Sequence, residues 1–217
     1  MQKYKVTVCV PCYGRPQRTL RALDCLMEQD FVGWEAFFVG DNCPDFQKLI
    51  DDGAFKKYAS IAKEKGNLLV YHNLGKNYGY WGYEVRNRII RTAESDYFVF
   101  MDNDDMIKPN HLSNYYNAIN NTNCDFVYFN TLISVMCNNG EKLEKIRNAE
   151  LKFGSIGHQE LIVKTSFLKY MPPQKPFYGH DWELVENMMK FGKYEKSNAE
   201  PTYIFKGVGD LRKDNID

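Results

Sequence analysis

The run YFVFMDNDDM, residues Tyr97–Met106, joins an unbroken apolar segment to a cluster of acids. Tyr97–Met101 carries no charged side chain, the pattern of a strand buried on both faces in a parallel sheet covered by helices. Asp102, Asn103, Asp104 and Asp105 follow at once. Carboxylates crowded at the end of an apolar strand repel one another and lose hydration, and both effects oppose folding. A bound divalent cation removes both penalties. Asp102 and Asp104 are two positions apart, so extended backbone points them the same way. That is a two-carboxylate grip on a hard ion, with places left for water and phosphate oxygens, as Mg2+ and Mn2+ are commonly held. The competing reading is an acidic turn that caps the next helix, a role that suits Asp105.

Upstream, strands and helices alternate. A strand at Lys5–Val10 leads to Pro16, which suits the first turn of a helix with Leu20, Leu23, Leu26 and Met27 on one face. A strand at Glu35–Val39 precedes one helix over about 46–65, which Gly66 ends. The run NLLVYHN is a third strand. The loop LGKNYGYWGY then opens a helix that buries Val85, Ile89, Ile90 and Ala93. This alternation predicts a mainly parallel sheet with helices on both sides. Downstream, Pro109 and Asn110 open a helix through Asn120, and the runs DFVYFNTLISVM and EKLEKI flank Asn139-Gly140, a hairpin signal. The run ELIVKTSFL reads as a strand turning into a short helix, Trp182–Phe191 as a helix stopped by Gly192, and PTYIF as a last strand. No repeat or linker interrupts the chain. The expectation is one α/β domain over 1–217: a Rossmann-like nucleotide-binding half at 1–108, with a mainly parallel sheet, and a mixed-sheet half at 109–217.

Composition narrows the partners. Lys and Arg together number 28, as do Asp and Glu. A net charge of zero argues against a general electrostatic grip on nucleic acid. No apolar run approaches the roughly 20 residues of a membrane span. The first strand starts within a few residues of Met1, leaving no room for a signal peptide, so a reducing cytoplasm is the expected compartment. The six cysteines are then thiols. Cys9 and Cys12 have the spacing of a redox pair, but Cys9 falls in a strand and Tyr13-Gly14-Arg15 separates Cys12 from the helix start that would activate it. There is no second such pair to complete a zinc site.

Open parallel sheets bind ligands beyond the carboxyl ends of their strands. There lie PCYGRP, Asp41-Asn42, the Gly-rich loop and DNDD. With these blocks in this order, the chain resembles glycosyltransferase family 2, inverting nucleotide-sugar transferases of the GT-A fold. The likeness is carried by VTVCVPCYGRPQRTLRALDCLMEQ, WEAFFVGDNCPD, NLGKNYGYWGYEVRNRIIRTAESDYFVFMDNDDMIKP and the late GHDWELVENMMKFGK. The resemblance implies a nucleoside-diphosphate sugar donor, linked to UDP or dTDP, and a glycan or glycolipid acceptor. It places Pro11, Tyr13, Arg15, Asp41, Arg86 and Asp102 at the nucleotide, with Tyr13 packing on the base and Asp41 accepting from a ring N–H. Asp102 and Asp104 would ligate Mn2+ or Mg2+, and Asp181 would be the general base. The chain departs from the family pattern where Gly40 precedes Asp41 and where His180 replaces an acid before Asp181. No His follows position 180, so a C-terminal His ligand is absent.

The chemistry agrees with those roles. A departing diphosphate needs its charge neutralised. An attacking hydroxyl needs a carboxylate to take its proton, and Asp181 at a helix start is favoured as the anion. Asp181 also reads as a simple N-cap beside Trp182, with Glu183 as a second candidate base. Gly in LGKNYGYWGY permits close approach to phosphate or ribose, and its aromatic faces suit sugars or bases, while the competing reading is a loop whose Trp81 packs into the core. Arg212 and Lys213 in the tail read either as a lid over the diphosphate or as part of a free solvated tail. Two other functions compete. Asp102-x-Asp104 resembles the nucleophile pair of haloacid-dehalogenase-type phosphatases, although there the pair follows the first strand. A non-catalytic nucleotide-sugar-binding module would have no use for Asp181.

Overall fold

The computed structural model describes residues 3–136 and 142–206. The tail with Arg212 and Lys213, the Asn139-Gly140 turn and Cys137 lie outside the described residues.

The first half alternates as its pattern requires. Strand β1 (Val6–Cys12) leads into helix α1 (Pro16–Met27), and β2 (Trp34–Gly40) into α2 (Pro44–Asp51) and α3 (Ala54–Glu64). Next come β3 (Leu68–Asn73), α4 (Tyr83–Thr92) and β4 (Tyr97–Phe100). The single helix expected over 46–65 is two, because the chain turns at Asp52-Gly53. Strand β1 is central: it pairs in parallel with β2 from Val6 opposite Trp34 to Cys12 opposite Gly40, and with β4 from Val6 opposite Tyr97 to Cys9 opposite Phe100. Strand β3 extends the sheet beyond β2, also in parallel.

The second half does not stand apart. After β5 (Met106–Ile107) and α5 (His111–Asn120), β6 (Phe126–Tyr128) returns to the main sheet. The strand-like run DFVYFNTLISVM is therefore two strands. At Phe129-Asn130 the chain leaves the first sheet, and β7 (Thr131–Met136) pairs antiparallel with β8 (Lys142–Arg147) in another. The strand β9 (Leu161–Lys164) then inserts between β4 and β6, antiparallel to both. Helices α6 (Thr165–Tyr170) and α7 (His180–Phe191) follow, then β10 (Tyr194–Lys196) and β11 (Tyr203–Lys206). The main sheet has the order β10-β6-β9-β4-β1-β2-β3, with β9 alone reversed, and a smaller sheet has the order β5-β11-β7-β8.

Two cores cover the two faces of the main sheet, and side chains alternate between them along each strand. Val6, Val8, Val10 and Val99 pack with Leu23, Phe38, Phe55 and Tyr115 on one face. Cys9, Phe98 and Phe100 pack with Val85, Ile89, Leu168 and Val185 on the other. The two sheets are tied by buried Glu160, whose Oε1 accepts from Thr131 Oγ1 and from Arg147, while its Oε2 accepts from Gly157 N at 2.7 Å. Among the described residues, no helix is long and apolar enough to cross a membrane.

Candidate active site

Parallel strands end at one edge, so the loops after β1, β2, β3 and β4 converge. Between them lies a cavity of about 650 Å³, a size that suits a small ligand. Its lining includes Pro11 from the end of β1, Tyr13 and Arg15 from the first loop, Asp41 from the second, Gly79–Gly82 from the third, Arg86 from α4, and Asp102–Asp104 from the fourth. Seven of the eight residues expected at the nucleotide, metal or base thus share one cavity; Asp181 is not in its lining.

The Gly-rich loop is held from below. Asp41 is buried, and its two carboxylate oxygens accept from the backbone N–H groups of Tyr78 at 2.9 Å and Gly79 at 2.7 Å. Each oxygen thus holds one N–H of the protein's own loop, and of the carboxylate's roughly four acceptor sites the rest stay open to a further partner such as a base N–H. Gly82 lies so close to Pro11 that a Cβ there would sit 2.7 Å from the Pro11 ring, so only glycine fits. Tyr13, Tyr80 and Trp81 stand exposed around the opening. Arg15, Asn42, Tyr80 and Trp81 are the described non-glycine residues with positive φ. Such conformations cost about 1–3 kcal/mol each and persist only where the surroundings impose them, typically at functional sites.

The acids are each met by guanidinium groups. Buried Arg86 donates from Nη2 to Asp102 Oδ1 at 2.7 Å and from Nη1 to the Trp81 carbonyl. Its Nε is buried with no hydrogen-bond partner. Asp104 Oδ2 is paired with Arg15, and Arg18 Nη1 lies 3.5 Å away. Burial nonetheless pushes the Asp104 carboxyl above its ordinary value; Arg15 and Arg18 pull it down, and neighbouring Asp102 pushes it up. Asn103 ties this turn to α1 by donating to Thr19 Oγ1 at 2.9 Å.

Asp105 does not cap a helix. Strand β5 follows it directly, and its Oδ2 accepts from the hydroxyl of Tyr203 at 2.9 Å. That hydroxyl also accepts from Asp102 N–H at 3.0 Å. Tyr203 on β11, fully buried, is thus the clamp that aims the Asp102–Asp104 turn. Sequence reasoning missed it, because a tyrosine in a short strand some hundred residues away carries no local signal of such a bond.

Asp102 and Asp104 can hold a divalent cation only if the remaining ligands come from phosphate and water. Among the described residues, no group of three or more His, Cys, Asp or Glu is placed to bind a metal. Two hard-oxygen donors on one cavity wall fit that partial role, with arginines now occupying them.

Asp181 is half-buried in the first turn of α7. Gly179, not Asp181, is the residue that precedes the helix, and Asp181 Oδ1 accepts from Trp182 N–H at 2.8 Å. The neighbouring Tyr178 ring packs against Trp81 of the cavity lining, with centroids 5.9 Å apart. Beneath lie two buried imidazoles, His158 and His180, with ring centroids 5.4 Å apart. Burial lowers both their pKa values, and the nearby Arg86 charge lowers them further. Cys9 and Cys12 are buried thiols; burial pushes Cys9 up to about 12 and Cys12 well above its ordinary value.

A mostly parallel sheet with one reversed strand, a second mixed sheet and an acid-lined cavity at the carboxyl edge define the GT-A class of fold. The profile of glycosyl transferase family 2 matches residues 7–175, and the chain belongs to that family. It is 30% identical over 105 residues to the amylovoran biosynthesis glycosyltransferase AmsB of Erwinia amylovora, covering 48% of this chain and 32% of the relative. Among solved structures, S. aureus TarS 1–349 in complex with UDP-GlcNAc superposes with a TM-score of 0.70 at 19% identity, over 94% of this chain and 58% of that one. The mannosyltransferase PcManGT from Pyrobaculum calidifontis, in complex with GDP-Man and Mn2+, superposes with a TM-score of 0.64 at 16% identity, over 95% and 57%. The chain spans about a third of AmsB.

Proposed function

We propose that this chain is an inverting glycosyltransferase, moving a hexose or deoxyhexose from a UDP- or dTDP-linked donor to a hydroxyl of a glycan or glycolipid. One observation carries the reading: in a family 2 chain, the loops after four parallel strands bring Tyr13, Arg15, Arg86, Asp102 and Asp104 into a single cavity. The UDP-GlcNAc and GDP-Man complexes of the structural relatives support a nucleotide-sugar donor. Residues 1–108 supply the donor side and residues 109–217 the acceptor side. A reducing cytoplasm suits the five described cysteines, all thiols.

In this reading Tyr13 packs on the base, with Pro11 beside it, and Asp41 braces the loop that covers the ribose. Arg15 and Arg86 meet the diphosphate. Asp102 and Asp104 would hold Mn2+ or Mg2+, which when bound supplies Lewis-acid neutralisation of the leaving diphosphate. The acceptor oxygen bonds to the anomeric carbon from the face opposite the diphosphate, the carbon–oxygen bond to the diphosphate breaks, and the acceptor proton passes to the Asp181 carboxylate.

The test is Asp181→Asn. It should bind a nucleotide sugar as the parent does, read by thermal shift with and without Mn2+, and transfer no sugar. Normal transfer by Asp181→Asn would sink the assignment of the base. The absence of a shift with any nucleotide sugar would sink the donor reading.

A further inference from the structure

Exposed large apolar side chains that cluster mark a surface that something covers. Among the described residues, exposed Val32 and Leu68 sit by the amino ends of β2 and β3, and exposed Leu143 and Ile146 lie on the edge strand β8. The rim of the cavity differs from these places. In residues 77–83, 151–157 and 174–181, every exposed large apolar side chain is aromatic.

Three of those rings touch in series. Trp81 meets Tyr178 with centroids 5.9 Å apart at 71°, and Tyr178 meets Phe153 at 6.3 Å and 74°. They come from three separate segments, so the row is a product of the fold. Two further features hold it. Gly179 has φ +93, and a Cβ there would sit 2.8 Å from Phe153 Cε2, so glycine admits the Phe153 ring. Trp81 has φ 52, a conformation disfavoured for a bulky residue, while its carbonyl is held by buried Arg86 and its indole remains 65% exposed. Backbone strain of this kind persists where the surroundings impose it, typically at functional sites. The row begins at the cavity lining with Trp81 and ends at Phe153, and its middle ring, Tyr178, precedes Asp181 by three residues in the chain.

We infer that Trp81, Tyr178 and Phe153 form an acceptor shelf, and that its occupant is a saccharide rather than an acyl chain. This rests on the glycosyltransferase reading. A pyranose presents C–H faces to aromatic rings and keeps its hydroxyls at the edge, in water or toward Asp181. An acyl chain needs a continuous aliphatic groove, and in these three segments the exposed residues beside the rings are Asn77, Tyr80, Lys152, Gly154, Lys175, Pro176 and Phe177, with no exposed Val, Leu, Ile or Met among them.

The experiment measures binding of the protein, saturated with UDP, to an array of immobilised oligosaccharides, and UDP affinity separately by calorimetry. Tyr178→Ala and Phe153→Ala should each lose about tenfold in saccharide affinity, the scale of one lost stacking contact. UDP affinity should stay unchanged, since neither ring lines the cavity. Tyr178→Phe should bind saccharide as the parent does. Undiminished saccharide binding by both alanine variants overturns the shelf. So does a parent protein that binds no saccharide on the array, or one that glycosylates dioleoylglycerol vesicles and no saccharide. A parent without affinity for either UDP or dTDP overturns the donor reading beneath it, an outcome distinct from lost saccharide binding.

Discussion

Tyr203→Phe isolates the clamp behind the acidic turn. The substitution keeps the ring and deletes one oxygen. That oxygen donates to Asp105 Oδ2 at 2.9 Å and accepts from Asp102 N–H at 3.0 Å. Tyr203 is fully buried and Asp105 is 2% exposed, so water cannot readily replace what is lost. A hydrogen bond to a charged group contributes about 1.5–3 kcal/mol, and an abandoned buried donor costs about 1–3 kcal/mol. The Asp102 amide is only part-buried, which takes its share to the low end. The sum is about 2–4 kcal/mol, or about 4–16 °C in Tm for a chain of this size. The assay is urea unfolding followed by fluorescence, with the slope required to match the parent. Tyr115→Phe serves as the control: its hydroxyl donates to the Gln159 carbonyl at 3.2 Å, a single neutral bond worth about 1 kcal/mol. Nucleotide affinity should fall in Tyr203→Phe and not in Tyr115→Phe. A Tyr203→Phe protein destabilised by less than the control, with nucleotide affinity intact, would refute the clamp.

Two further outcomes are expected. Arg15→Ala removes a guanidinium from Asp104 Oδ2; because Arg15 is 45% exposed the gain is small, about 1 kcal/mol. Mn2+ titrated without nucleotide and followed by electron paramagnetic resonance should therefore bind about fivefold tighter; unchanged or weaker binding would show that Arg15 does not compete for that carboxylate. Burial lowers His111 to about 3, His158 well below 6.5 and His180 in the same direction, so the native imidazoles take up protons less readily than unfolded ones. Their contribution is complete above pH 6.5 and falls as pH drops below it, by up to about 1.4 kcal/mol per pH unit for each histidine. Urea midpoints between pH 7.5 and 5.5 should decline accordingly, and a flat profile would contradict the neutral buried assignment.

The elements that the chain announces are those formed by local rules. Tyr97–Phe100 is a strand because it is apolar without interruption, Pro16 starts α1 because its φ already suits a helix, and Gly192 ends α7. The cavity residues were legible for the same reason: each follows a strand directly, and parallel strands share an edge. Apart from the local turn at Asp52-Gly53 that splits one expected helix into two, the errors fall where pairing is non-local. The run DFVYFNTLISVM has no internal break in hydrophobicity, yet Phe129 N–H bonds to the Glu160 carbonyl in the main sheet while Thr131 pairs with Arg147 in the other. Strand β10, of sequence YEK, has too little apolar content to be seen, and gains its place by pairing with β6.

From its residues alone the chain specified a parallel α/β sheet, the four loops at its carboxyl edge and the acids Asp102 and Asp104 within them, because hydrophobic periodicity and turn chemistry act over a few neighbours. Tertiary structure alone decided that Arg15, Arg18 and Arg86 hold those acids, that Asp41 braces the Gly-rich loop, that Tyr203 clamps the turn, and that Trp81, Tyr178 and Phe153 align. Those contacts join residues up to a hundred positions apart, and only the closing of both sheets brings their side chains within reach.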